Sequence, residues 1–409
     1  MTDEPGALGG AYWRMWTSSG LSNLADGVLK VALPLVALDF TRSPALIAGL
    51  AFAFTLPWLL FALPAGALVD RLDRRRAMLG ANGVRAALLA GLALGVMFDV
   101  GSIWALYVVA LGAGVAETIY DTSAQSILPQ LVRRDQLSRA NGRLYAAELS
   151  ANEFVGPPLA GFLAAAGAFV ALASPAGLWV VAVVVLLFVR GSFRVERGPR
   201  TTLRADIAEG LRFLWHNRLL RMFAVMVGVF NFATNATFAV FVLYAVGPGS
   251  AMGLSTQAFG VLLATLAGGS LVGSFAAEVA ERKFGRSRVL WASIVGGALT
   301  VGVPALTGNP FLIGTAFFVG GVALVISNVV MVSLRQRITP DRLLGRLNSS
   351  HRLVAWGSRP LGAAAGGVLA QVLGLRSVFA IMAVVLLILL AGMRNLSDSA
   401  MAAAEREAG

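Results

Sequence analysis

Twelve apolar stretches, each long enough to cross a bilayer, alternate with short polar turns along the 409 residues of this chain. A spanning helix takes about 20 residues. Hydrocarbon offers no partner to backbone N–H and C=O groups, so each stretch must satisfy its own, as a helix does. The spans are read at 13–40, 43–69, 77–98, 103–128, 140–166, 169–189, 222–246, 256–280, 289–306, 310–334, 344–374 and 377–394. They consume the chain and leave no room for an extramembrane domain. Only 13% of the residues are charged, where a soluble domain holds about a quarter. The expected class is an all-α polytopic membrane protein in a lipid bilayer. The first dozen residues lack the basic segment and cleavage site of a signal peptide, so the first span is expected to remain in place.

Charge gives the spans a direction. Arg-rich turns follow spans 2, 4, 6, 8 and 10, and the other turns carry little beyond Arg42 and Arg376. Basic loops stay on the cytoplasmic side, so both termini are expected there, in the cell membrane. The net charge of +12 is spread in this periodic way. It does not gather into a phosphate-binding face, so no nucleic-acid partner is expected. Between spans 6 and 7, residues 190–221 hold eight Arg. Within them Leu203, Ile207, Leu211 and Leu214 recur at helical spacing, the pattern of an amphipathic helix on the cytoplasmic interface. The domain reading is a first six-helix bundle at 1–190, a linker at 191–218 and a second bundle at 219–409. There is no cysteine, which excludes disulfides and thiolate chemistry.

The most highly charged turn packs six charges into the seven residues from Asp70 to Arg76. Gly66 stands one turn before Asp70, and Arg71, Arg74 and Arg75 follow, in the order G-x-x-x-D-R-x-x-R-R. This order, between the second and third spans, resembles the signature loop of the major facilitator superfamily. The chain also echoes itself. Asp135-Gln-Leu matches Asp341-Arg-Leu, Pro158-Leu159 matches Pro360-Leu361, and Glu278 falls where Asp70 stands. The resemblance implies two six-helix bundles related by a pseudo-twofold axis. Paired halves of this kind place a substrate site at their interface near the bilayer midplane.

An ionisable side chain at membrane depth is costly and marks function. The first half has five such acids, Asp26, Glu117, Asp121, Glu148 and Glu153, against Lys30 and Arg85. The second half has Arg352 and Arg359 on span 11 and no acid deep in any span. Asp26 and Lys30 share a helix face, as an internal ion pair or with Asp26 as a cavity acid. Glu117 and Asp121 have the same spacing and like charge, so they repel. They are read either as a proton-coupling site or as partners of Arg352 and Arg359. Asn231, Asn235 and Asn328 either line the same cavity or bond across helices.

On span 5, Gly156-Pro157-Pro158-Leu-Ala-Gly161 removes two backbone donors and supplies small residues for close packing. It resembles the helix-5 element of drug/proton antiporters, and its plainer reading is a kink. Asp26-Gly27, Ala32-Leu-Pro34, the run Ile127-Leu-Pro129-Gln-Leu-Val and Ala140-Asn141 resemble the exporter branch that includes macrolide and siderophore efflux proteins. Asp73 departs from the pattern, standing where the loop usually has Gly, and span 4 lacks the mid-helix Arg of proton-coupled exporters.

The resemblance implies a monomeric secondary transporter that exports an amphipathic organic compound by alternating access, with proton antiport. Proton-coupled uptake of a small metabolite shares the fold, and a lipid-modifying membrane enzyme is a remote alternative. Two histidines, His216 and His351, and no cysteine supply no catalytic or metal constellation, so no cofactor or metal is expected.

Overall fold

The computed structural model describes residues 8–69, 72–191, 193, 203–339, 341–393 and 398–408, with the side chains of 62–69, 134, 138, 203–208, 210, 341–346, 348, 349, 400, 404, 407 and 408 excepted. The described residues form helices and no strand, apart from one isolated bridge between Val246 and Leu254. Four long helices come first: α1 (Gly10–Ala37), α2 (Pro44–Val69), α3 (Arg74–Met97) and α4 (Ile103–Leu131). The fifth span is broken into α5 (Leu137–Leu149), a π-helical turn (Ser150–Val155) and α6 (Gly156–Ala165), and α7 (Ala168–Leu187) follows. The linker helix is α8 (Leu203–His216). The second half holds α9 (Arg218–Ala245), α10 (Thr256–Phe284), α11 (Arg286–Leu306), α12 (Pro310–Arg337), α13 (Asp341–Leu373), α14 (Leu375–Gly392) and α15 (Asp398–Ala408).

Ten of these helices are long and apolar enough to span a membrane. The broken fifth span and the charged α13 complete the twelve-helix pattern. The prolines explain the break. Pro157 and Pro158 have no N–H to give to the carbonyls four residues back, and their rings press on those carbonyls. The chain widens instead, and Gly156 N–H reaches five residues back to Ala151 O. The terminal helix α15 was not expected from sequence, where no element was assigned beyond residue 394.

The chain divides into two compact units. The first comprises Met1–Thr41, Ala53–Pro199 and Ser255–Val261. The second comprises Arg42–Phe52, Arg200–Leu254 and Leu262–Gly409. In the first, Tyr12, Met15, Met78, Tyr120, Ile127 and Leu186 form part of a buried apolar core. In the second, Leu214 of α8 is buried with Phe223, Leu290, Leu334, Leu347 and Met401. The linker helix is thus packed onto its unit through Leu214, and the side chains of Leu203 and Ile207 lie outside the described residues.

Candidate functional site

The inward face of α1 in the first unit is polar. Ser18, Ser19, Ser22, Asn23 and Asp26 are all buried along it. From α3, Arg85 enters this face with only 1% of its surface exposed. Its Nη1 lies 2.6 Å from Asp26 Oδ1, and its Nη2 donates to Asn82 Oδ1 at 2.5 Å and Ser22 Oγ at 3.2 Å. The guanidinium also stacks on two rings, with Cζ 4.8 Å from the centre of Tyr120 and 5.0 Å from that of Trp179. A buried charge is tolerable only when paired and hydrogen-bonded, and Asp26–Arg85 meets both conditions.

Asp26 therefore pairs across helices with Arg85, and the internal Asp26–Lys30 pair that their spacing suggested does not form. Lys30 reaches away from Asp26, toward α4 and the π turn. Its Nζ lies 3.7 Å from Glu117 Oε1 and donates to Asn152 Oδ1 at 3.1 Å. Backbone contact holds this arrangement. A Cβ on Gly27 would lie 2.8 Å from Asn152 Cα, and one on Gly156 would lie 2.7 Å from Gly27 Cα. Only glycine at both positions lets α1 meet the fifth span this closely, and Pro157 and Gly161 follow Gly156 as buried residues at the start of α6.

Glu117 is buried. Asp121, one turn further on, makes no hydrogen bond or ion pair among the described residues. It lies within electrostatic range of Glu117, Glu148, Asp26 and Arg85. Glu148, exposed at the end of α5, lies within range of Lys30, Glu117, Asp26 and Glu153. Glu153, in the π turn, is exposed. Five carboxylates, those of Asp26, Glu117, Asp121, Glu148 and Glu153, thus gather around Lys30 and Arg85. Sequence reading gave Arg85 only as a possible base. Its Asn82-x-x-Arg85 spacing, one turn on a buried helix face, was the available signal.

In the second unit, the guanidinium carbons of Arg352 and Arg359 each lie 5.0 Å from the ring centre of Trp356, between them on α13. Asn231 Nδ2 donates across helices to Ala355 O at 2.8 Å, and Asn235 Nδ2 donates to Asn231 O at 2.9 Å. Asn231 thus bonds across helices, one of the two readings open for it, while Asn235 bonds back within α9.

At the charged turn, Asp70 and Arg71 lie outside the described residues, and Gly66 is described only as backbone of α2. Arg74 Nη1 donates to Ser126 O at 2.6 Å. Arg75 Nε and Nη2 donate to Leu186 O and Leu187 O at 3.2 and 2.8 Å, so both arginines bond carbonyls toward the C-terminal ends of other helices. Asp73, the departure from the superfamily pattern, caps α3. Its carboxylate accepts from Arg76 N at 3.0 Å and from Phe193 N at 2.8 Å. Burial works against its ionisation, yet these backbone donors hold its carboxyl below its ordinary value.

The family model for transmembrane secretion effectors matches residues 9–408. The chain is 26% identical over 344 residues to the enterobactin exporter EntS of Salmonella typhi, covering 83% of this chain and 80% of that protein. It is 29% identical over 383 residues to the multidrug efflux pump Tap of Mycolicibacterium fortuitum, covering 89% and 90%. Among solved structures it is similar to the nucleoside transporter NupG, with a TM-score of 0.73, 15% identity and coverage of 96% and 99%. It is also similar to a bacterial homologue of the iron transporter ferroportin, with a TM-score of 0.74, 17% identity and coverage of 98% and 100%. These last two likenesses concern the fold.

Proposed function

Because this chain belongs to the transmembrane secretion effector family of major facilitator transporters, we propose that it exports an amphipathic organic compound across the cytoplasmic membrane by alternating access, driven by protons. The compound is a drug, antibiotic or secondary metabolite. The protein acts as a monomer with both termini in the cytoplasm. Export is supported by relatives whose names describe exporters, and the orientation by the positive turns.

The observation that carries proton coupling is the crowding of carboxylates around Asp121. With every group ionised, the carboxylates of Asp26, Glu117, Asp121, Glu148 and Glu153 outnumber Lys30 and Arg85 and repel one another, a repulsion that bound protons relieve. Asp26 is committed to Arg85, so the exchangeable protons fall to Glu117, Asp121 and Glu148. Lys30 reads their state. When Glu117 is ionised it holds Lys30, and when Glu117 takes a proton that attraction ends while the bond from Lys30 to Asn152 remains. Since Asn152 sits in the π turn of the fifth span, proton binding is passed to that helix.

Cells overexpressing the protein, loaded with a panel of amphipathic dyes and antibiotics, test this reading. Lower accumulation of at least one compound is expected, and a protonophore should restore it. Unchanged accumulation across the panel would remove the export reading. Lowered accumulation that survives the protonophore would remove the proton.

A further inference from the structure

The first unit carries a groove of about 720 Å³ between α1 and α5, which the export reading does not use. Its two ends differ in chemistry. At the N-terminal end of α1, the rings of Trp13 and Trp16 lie 5.5 Å apart, edge to face. Arg143 places its guanidinium carbon 5.3 Å from the ring centre of Trp13, and its carbonyl accepts from Trp16 Nε1 at 3.1 Å. Arg143 and Arg139, one turn apart on α5, both act electrostatically on Tyr12. This end is cationic and aromatic. Further along, the lining includes Gly20, Leu24, Ala147, Ala151 and Val155, a trough of mostly small and apolar side chains in which Thr17 and Ser150 are the hydroxyls.

The dimensions fit one kind of occupant. From Trp13 to Leu24 is eleven residues of helix, about 16 Å at 1.5 Å per residue. The hydrocarbon of one leaflet is about 15 Å deep, half of a core of about 30 Å. Tryptophan rings belong at the headgroup level, so the trough runs from there to the midplane. A guanidinium stacked on an indole keeps its in-plane N–H donors for a phosphate. An anionic head over a chain one leaflet long satisfies both ends.

We propose that the α1–α5 groove binds one anionic phospholipid of the leaflet nearest the N-terminus, its phosphate on Arg143 and one acyl chain over Gly20, Ala147 and Ala151. The site adjoins the polar cluster through the chain itself, because Ala151 precedes Asn152, the residue that holds Lys30. A seated acyl chain packs against the π turn from the membrane side.

The test is tryptophan quenching of the full chain in phosphatidylcholine vesicles doped with brominated phosphatidylglycerol or, in parallel, with brominated phosphatidylcholine. The anionic lipid should quench more strongly at equal mole fraction. Arg143→Gln should lower its apparent affinity about fivefold, the effect of one interfacial basic residue. Ala147→Phe should fill the trough and remove the excess quenching, with unchanged gel-filtration behaviour as the check on folding. Equal quenching by the two lipids overturns the proposal, as does excess quenching that both variants retain. Displacement of the bromolipid by octyl sulfate at concentrations that leave the vesicles intact also overturns it, because the groove would then take small amphipathic anions as a portal. Should a variant fail to fold, native mass spectrometry of the wild-type protein decides. Retained phosphatidylglycerol in preference to phosphatidylcholine supports the site, and no preference overturns it.

Discussion

Asn152 accepts its hydrogen bond from Lys30, 3.1 Å away, in a turn that the prolines just after it have forced open. The fifth span widens over Ser150–Val155 before Pro157 and Pro158, and π-helical turns of this kind recur at functional sites. Replacing both prolines by alanine returns two backbone donors and favours an ordinary α-helical turn, which rotates Asn152 off Lys30. The double variant should be at least as heat-stable as the parent yet transport about tenfold more slowly. Asn152→Ala should reproduce the transport loss without the gain in stability. Normal transport by both would detach the π turn from function.

Asp26 and Arg85 form a closed pair whose loss is structural. Removing one member of a buried pair leaves the other charge uncompensated and costs about 3–5 kcal/mol. Asp26→Asn and Arg85→Gln should each lower the thermal unfolding midpoint sharply. The double variant should recover much of the loss, since no net charge then stays buried. Strict additivity of the two singles would show that the pair is not coupled.

Glu117 and Asp121 carry the proposed protons, and an amide in their place keeps the shape while losing titration. Glu117→Gln and Asp121→Asn in proteoliposomes should cut proton-driven efflux of a transported dye at least tenfold. At least one of them should still bind the dye. If both pump normally against a gradient, Glu148 is the remaining candidate.

Much of this fold was legible because lipid leaves a chain few options. Span positions, the linker helix and the oddity of the fifth span followed from apolar length and two prolines. The pairing inside the cluster did not. Asp26 and Lys30 share a helix face by spacing, but spacing says nothing of what the neighbouring helices present. Arg85 on α3 offers Asp26 a bidentate-capable donor with ring support from Tyr120 and Trp179, and Glu117 offers Lys30 its own acid. Such choices depend on helix rotation and on backbone approach at Gly27 and Gly156, which periodicity does not encode. The role of Asp73 was hidden for a similar reason, since its second partner, Phe193, lies 120 residues away.

Asp73 lies outside the spans, and its pH dependence has a definite sign. Its folded-state carboxyl titrates below its ordinary value of 3.8. The stability it contributes is therefore full above that value and is lost as pH falls through the lower folded one. As an N-cap it contributes about 1 kcal/mol. Asp73→Ala should lose that amount at neutral pH and converge with the parent in strong acid. A constant difference down to the acid limit would mean that the ionised cap is not the source.

The same connection recurs in the second half with the carboxylate on the other partner. In the first half, Asp73 at the head of α3 accepts from Phe193 N, in the segment after the sixth span. In the second, the residue before α11 is Gly285, whose φ of +81° and contact with the Asp398 carboxylate leave no room for a side chain. The carboxylate comes instead from the segment after the twelfth span, where Asp398 accepts from Ser287 N at 2.8 Å. From α15, Glu405 then meets Arg286 at 2.9 Å and Arg337 at 3.3 Å, and Met401 is fully buried. The terminal helix thus brings α11 a cap from a distant segment of the same chain. Asp398→Ala should lose about 1 kcal/mol and speed hydrogen exchange at the first amides of α11. Truncation after Met393 should lose about 2 kcal/mol more, the worth of burying Met401. An exchange rate at Ser287 that both changes leave untouched would show that α11 needs no cap from the chain end.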